Sequence, residues 1–217
     1  QAPALGVDLA AWDSSGRPLQ GEVGELVVTE PMPSMPTCLW GDTSGERLRS
    51  SYFDMYPGVW RHGDWVELTE HGGAIIHGRS DSTINRGGVR IGTSEIYRAL
   101  ATVEDVIDSL VVDLPRPETH GWIALFVALS DGVELDDALV RTIRGRIREH
   151  CSPRHVPNAV LAVPDVPRTL SGKPLEVPVK RILMGDDPDT VVSIDALANP
   201  KSLKFFTELA ATDGWDA

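Results

Sequence analysis

Cysteine is almost missing: Cys38 and Cys151 are the two in 217 residues. They stand far apart with no CxxC pair, so no disulfide framework is expected and a reducing, cytoplasmic setting is. The six histidines show neither HxxxH nor HxH spacing, so no metal site is expected. Positive charge is scarce too. Against 32 acidic residues stand 20 Lys and Arg, a formal net charge of −12, which argues against a general nucleic-acid-binding surface. Any anion must therefore be held by local arginines, lysines and backbone N–H groups. No apolar run approaches the roughly 20 residues of a membrane helix. A charged-then-apolar leader is absent, and so is any internal repeat. The opening Gln1-Ala2-Pro3-Ala4 lacks a Met and runs directly into a strand pattern, which suggests a piece of a longer protein.

The most informative stretch is Gly78 to Ile96. It begins where a hydrophobic hairpin strand (Ala74, Ile75, Ile76) gives way to a polar turn, Arg79-Ser80-Asp81-Ser82. Ile84 resumes an apolar pattern, Gly87-Gly88 makes a second turn, and Val89 and Ile91 alternate with Arg90 as in a short strand. Thr93 or Ser94 then suits the N-cap of a helix carrying Ile96, Tyr97 and Leu100. From residue chemistry alone, this is either a surface hairpin with ordinary turn residues or an arginine-lined site beside a helix start.

The rest of the chain falls into two styles. Residues 7–11 and 25–29 read as strands around the Asp13–Pro18 turn, and Pro31, Pro33 and Pro36 impose an extended loop with packing methionines. Tyr52, Phe53, Tyr56, Trp60 and Trp65 read as a small aromatic core patch, and residues 65–69 and 74–78 as a hairpin. Beyond Ser82, strands and helices alternate: helix 93–101, strands 106–114 and 122–129, helix 135–150, strand 159–163 and helix 177–184. In the long helix Leu135, Leu139, Ile143 and Ile147 share one face, while Arg141 and Arg144 read as solvated. The Ser171-Gly172-Lys173 turn is not a Walker A loop, because position 167 is Pro and Pro174 stands where Ser or Thr is required.

Three segments together resemble the adenylate-forming superfamily, which includes acyl-CoA synthetases, luciferases and peptide-synthetase adenylation domains. Gly78, Arg79, Asp81, Ile84, Asn85, Gly88, Arg90, Ile91, Glu95 and Ile96 fall on its hinge and glycine-rich loop. Trp60-Arg61-His62-Gly63-Asp64 resembles its [Y/W]-x-[T/H]-G-D segment, and Val166-Pro167-Arg168-Thr169-Leu170-Ser171-Gly172-Lys173 its C-terminal lysine loop. The resemblance implies an α+β fold: the end of a large N-terminal domain in a barrel-like β subdomain (1–80), a mobile C-terminal domain (81–184) and a C-terminal extension (185–217). It implies two half-reactions, in which a carboxylate attacks ATP to give an acyl-adenylate and pyrophosphate, and coenzyme A then displaces AMP. Lys173 would bridge carboxylate and α-phosphate, Asp64 and Arg79 would clamp the ribose, and Arg90 would lie near the nucleotide phosphate. Asp81 would be the hinge, while Gly88 and Arg148, 25 positions before Lys173, would serve coenzyme A. Mg2+ is implied with ATP.

Asn85 departs from the Lys of many members, and His62 replaces a common Thr as a structural residue. The phosphate loop, acyl pocket and Tyr-Gly-x-Thr-Glu segment would belong to a missing N-terminal domain of the same polypeptide, without which this piece is expected to be inactive. The wording around Glu30–Pro36, Ser51–Asp64 and the tail resembles acetoacetyl-CoA synthetases, which implies acetoacetate as the acid. Another short-chain acyl-CoA synthetase, or a stand-alone interaction domain of the same fold, remains open. Resemblance also makes Lys173 a candidate for a protein lysine acetyltransferase and deacetylase. In the tail, Val191 to Ile194 suits an edge strand, and Ser202–Leu209 a docking helix that ties the small domain to the large one.

Overall fold

The computed structural model describes residues 1–80, 84–86, 89–116 and 119–212, with backbone alone at 85, 89–90, 116 and 119–121. Chain contacts divide it into two units, Gln1–Asp81 and Ser82–Ala217. No helix among the described residues is long and apolar enough to cross a membrane.

The first unit is a five-stranded antiparallel sheet built from β1 (Leu9–Trp12), β2 (Pro18–Leu19), β3 (Val23–Val28), β4 (Trp60–Leu68) and β5 (Ala74–Arg79). Its order is β2-β1-β3-β4-β5, so β2 and β5 are edges and the sheet is open, where a barrel-like form was expected. Ala11, Leu26, Val28, Trp60 and Val66 form its core, and Met32 and Met35 of the proline-rich loop pack on it. Tyr52 stacks on Trp60 at 3.8 Å between ring centroids, and Phe53 meets the same ring edge-on at 5.7 Å. The aromatic run is thus a core patch. A helix that the pattern did not announce, α1 (Glu46–Tyr52), precedes it; it buries no residue, so it lacks the apolar period that betrays a helix.

The second unit is built on a three-stranded sheet in the order β10-β9-β8. β8 (Val106–Arg116) and β9 (Thr119–Leu129) are antiparallel, and β10 (Ala159–Ala162) runs parallel to β9 after the crossover helix α3 (Asp137–His150). Both faces of β9 are covered, which is why its sequence is continuously apolar rather than alternating. Ile123, Leu125 and Val127 face α2 (Thr93–Leu100) and the Leu139, Ile143 and Ile147 stripe of α3. Trp122, Ala124, Phe126 and Ala128 face α4 (Glu176–Leu183) and the tail. A small ribbon, β6 (Ile84–Arg86) with β7 (Val89–Ile91), places Ile84 and Ile91 in the α2–α3 core.

Two local expectations are corrected. Helix α2 is capped by Gly92 in extended conformation with no side-chain cap, so neither Thr93 nor Ser94 plays that part. The Val191–Ile194 run forms no edge strand: Pro188 and Asp189 start a short helix, α5 (Pro188–Val191), capped by the Asp187 carboxylate, and a 3-10 turn follows at Ile194–Ala196. A Pro at the first helical position behind an Asp outweighs β-branched propensity here. The last helix, α6 (Leu203–Ala210), docks, but its buried face packs into the core of the second unit to which it belongs, where a tie to the large domain was expected. Phe206 is fully buried and meets Phe126 edge-on at 5.0 Å, and Leu197 and Leu203 complete that core.

Candidate functional site

The sequence-marked residues fall into two groups, one in each unit. In the first, the antiparallel ladder of β4 and β5 sets Asp64 directly opposite Arg79. Backbone pairing therefore places an acidic and a basic residue across from each other beside a sheet edge. Gly63 has φ +85°, a conformation that favours glycine, and the Arg79 guanidinium lies close over it, 3.1 Å from where a Cβ would stand. His62 Nδ1 pairs at very short range with Asp64 Oδ2. His62 is half exposed while the Asp64 side chain is 15% exposed, so the carboxylate is largely covered and is oriented by its neighbour.

Behind this edge lies a buried charge that the sequence reading did not single out. Glu25, 1% exposed, accepts a 2.8 Å hydrogen bond from Ser80 Oγ. Its Oε1 lies 3.3 Å from Arg61 Nε, an ion pair without good hydrogen-bond geometry, and Arg61 donates instead to Ser80 Oγ at 3.1 Å. Ser80 N donates to Gly63 O at 2.9 Å. The Glu25–Arg61–Ser80 cluster thus joins three strand segments at the exit of β5. A Glu in an otherwise apolar strand, Gly24-Glu25-Leu26-Val27-Val28, was the available signal.

The second group is the Lys173 turn. Thr169 N donates to Lys173 O at 2.9 Å and Lys173 N to Thr169 Oγ1 at 3.0 Å. Gly172, at φ +83°, closes the turn by donating to Thr169 O at 2.8 Å. Arg168 pairs with Pro174 as an isolated bridge, and its guanidinium reaches Asp108 through Nε at 2.8 Å and Nη2 at 2.5 Å and Gly172 O through Nη1. That bidentate carboxylate holds the Arg168 pKa above its ordinary value, chiefly by hydrogen bonding. Lys173 itself is exposed. Behind the turn, the Tyr97 hydroxyl donates to Glu176 Oε1 at 2.5 Å and accepts from Val111 N at 3.1 Å. Burial first, then the Glu176 carboxylate, push its pKa up, so it stays a donor. A pocket lined by Tyr97, Asp108, Ser109, Arg168 and Pro174 adjoins the turn.

The other marked residues are more scattered. Arg148 is exposed in the last turn of α3, away from the buried stripe. Arg144 is not merely solvated, since its Nη2 donates to Asn158 O at 2.7 Å. Arg90 lies in β7 opposite Asn85, with both side chains outside the described residues, as are Asp81 and Gly88 altogether.

Among the described residues one group has the ligand types and proximity for a metal: Glu95, Cys151 and His155, with donor atoms within 4.8 Å of one another. Its signal is a C-x3-H spacing, Cys151 to His155, which a search for CxxC and HxxxH passes over. These side chains already satisfy each other. His155 Nε2 meets Glu95 Oε2 at 2.9 Å, and its Nδ1 meets Ser152 Oγ at 2.9 Å. Burial, and then the Glu95 charge, push the Cys151 thiol pKa up. The trio ties the start of α2 to the end of α3.

Residues 95–173 match the family described as AMP-binding enzyme C-terminal domain. The chain is 47% identical over 209 residues to the acetoacetyl-coenzyme A synthetase of Rhizobium meliloti (strain 1021), covering 96% of this chain and 32% of that protein. It is 40% identical over 210 residues to the acetoacetyl-CoA synthetase of Gallus gallus, again over 96% of this chain and 31% of the relative. Its fold superposes on acetoacetyl-CoA synthetase from Streptomyces lividans with a TM-score of 0.85 at 52% identity, over 97% of this chain and 32% of that one. The chain thus spans about a third of the length of the relatives it matches. It contains the C-terminal domain of AMP-binding enzymes and is homologous, over nearly all of its length, to the C-terminal part of acetoacetyl-CoA synthetases.

Proposed function

We propose that this chain is the C-terminal part of an AMP-forming acid–thiol ligase that converts acetoacetate, ATP and coenzyme A to acetoacetyl-CoA through an acyl-adenylate. The observation that carries this is the exposed Lys173 on a rigid, hydrogen-bonded turn, in a chain with 47% identity to a protein of that name. Adenylation brings two anions together, the acid carboxylate and the α-phosphate of ATP. An ammonium placed between them stabilises the charge that develops as the new bond forms. Lys173 has the reach and the fixed base to do this.

Asp64 and Arg79, held opposite each other in the ladder, suit a ribose diol: the carboxylate can accept two hydroxyl hydrogens, and the guanidinium can donate to ribose oxygens. Mg2+ enters with ATP as the counter-ion of its phosphates, and no ligand for it is assigned in this chain. Arg90 is assigned to the nucleotide phosphate, and Gly88 and Arg148 to coenzyme A, the last supported by its exposure. Asp81 is assigned as the hinge about which the second unit turns between half-reactions; the boundary between the two units falls at this residue, which supports the assignment. The exposure of Lys173 also makes it reachable by a protein lysine acetyltransferase, and acetylation would remove the bridging charge. Two free thiols, one exposed at Cys38, suit a reducing cytoplasm.

The test is AMP formation by the full-length enzyme with acetoacetate, acetate and butyrate at equal concentration. A kcat/KM at least tenfold higher for acetoacetate is expected. Preference for acetate or butyrate would move the protein to another short-chain acyl-CoA synthetase, and no AMP with any acid would leave an interaction domain.

A further inference from the structure

We propose that the C-terminal segment Ala196–Asn199 is the positioning element of the lysine turn, with Asn199 as its central positioning residue; this rests on the role assigned to Lys173 above. Three layers of contact carry it. Backbone pairing comes first. Ala198 N donates to Arg168 O at 2.9 Å, Leu170 N donates to Ala196 O at 3.0 Å, and Thr169 and Leu197 face each other as an antiparallel bridge. The turn thus gains a backbone partner in a single antiparallel bridge, from a part of the chain that begins more than twenty residues later.

The Asn199 side chain forms the second layer, and all three of its obvious hydrogen-bonding capacities are used. Its Oδ1 accepts from Arg168 N at 2.9 Å, and its Nδ2 donates to Val166 O at 2.8 Å and to the Asp165 carboxylate. One amide therefore clamps residues 165, 166 and 168, the stem of the turn. Only a carboxamide fits that set, because it offers donor and acceptor on one planar group.

Anchorage is the third. Asn199 O accepts from Ser202 N at 3.0 Å and Ser202 Oγ at 2.7 Å, and Leu203 and Phe206 follow directly into the core against Phe126. On the far side, Arg168 ties the turn to Asp108 of β8. The turn is held from both flanks while the Lys173 side chain stays exposed. A bridging cation must be aimed at its site before the reaction, since a misplacement of about 1 Å can cost on the order of a hundredfold in rate.

The experiment uses the full-length enzyme with Asn199→Ala and, separately, Ala198→Pro. The second removes the N–H donated to Arg168 O, and Leu197 already has the extended backbone that a residue before Pro favours. ATP–pyrophosphate exchange and thioester formation from supplied acyl-adenylate are measured on the folded fraction, with hydrogen exchange at Leu170 as an activity-independent readout. Both variants are expected to lose Leu170 protection. Their adenylation kcat should fall about tenfold or more, with KM for ATP and acid within about threefold and thioester formation unchanged. Adding either change to Lys173→Ala should produce no further loss. Equal loss in both half-reactions, or unchanged adenylation despite lost Leu170 protection, would overturn the positioning role. Undiminished adenylation in Lys173→Ala alone would instead remove the reading on which it rests, and that single variant tells the two failures apart.

Discussion

The two units hold their charged groups by different means. In the first, Asp64 and Arg79 are opposite each other in the β4–β5 ladder, next to a bulge that skips His77. In the second, Lys173 stands on a turn of seven residues held by side chains and by a segment of the tail. Ladder hydrogen bonds are made by the backbone, so most side-chain changes leave that register intact. A turn held by Arg168, Thr169 and Asn199 depends on a few polar side chains and on a helix that must be docked. The ladder site is thus the more tolerant of side-chain substitution and the lysine site the more sensitive to it.

The largest expected effect that would break this contrast is at Phe206. Phe206→Ala should destabilise the second unit by about 3–5 kcal/mol, because a fully buried ring leaves a cavity under β9. Differential scanning calorimetry should show the loss in the transition of that unit while the first unit's transition holds. An equal shift in both would mean the units do not unfold separately. Next comes the ladder's own support. Glu25→Ala should cost the first unit about 2–4 kcal/mol, since Arg61 then loses its ion-pair partner beneath the sheet edge, discounted for the one-third exposure of Arg61. Urea unfolding followed by the Trp60 and Trp65 fluorescence checks it. Loss of less than 0.5 kcal/mol, about the noise of a surface change, would show that the cluster is not what supports the edge.

How much of this was legible follows from the same contrast. The hairpin, the aromatic patch, α3 and β9 were readable because each rests on local pattern: turn residues at 70–73, ring density at 52–65, a four-residue apolar step, and a continuous apolar run. The lysine turn was readable as a motif, but its strap was not. Ala196–Asn199 carries no strand signature, only the Asn199-Pro200 turn signal at its end, and its partner lies across the fold, so only tertiary structure shows the bridge. The Val191–Ile194 reading failed because a capped proline start overrode β propensity. Glu25 was visible as an odd charge in a strand, yet nothing local pointed to Arg61 and Ser80 as its partners.

Two smaller effects sharpen the comparison. In the full-length enzyme, Asp64→Asn should raise KM for ATP by roughly tenfold with little change in stability, because a neutral amide makes weaker hydrogen bonds to a diol while the ladder persists. Unchanged KM would separate Asp64 from the nucleotide. The smallest expected effect is at Asp113 in β8. Burial raises its pKa, against the pull of Lys180 at 4.0 Å and of Arg86, and Oδ1 is buried with no hydrogen-bond donor among the described residues. The folded state then keeps this proton to higher pH than the unfolded chain. Stability conferred at low pH falls as pH rises from the ordinary carboxylate range through the raised folded value. Asp113→Asn should therefore raise Tm slightly at pH 7, by about 1–2 °C, and not below pH 3. A lower Tm at pH 7 would show that the pairing with Lys180 outweighs burial.

The measurement that bears most directly on the whole account is the pair of half-reactions in full-length Lys173→Ala. ATP–pyrophosphate exchange driven by acetoacetate should fall by about 10²–10⁴, the loss of one charge-stabilising group in the transition state, while thioester formation from supplied acetoacetyl-adenylate stays within about twofold. An equal fall in both, or exchange at the unsubstituted rate, would contradict it.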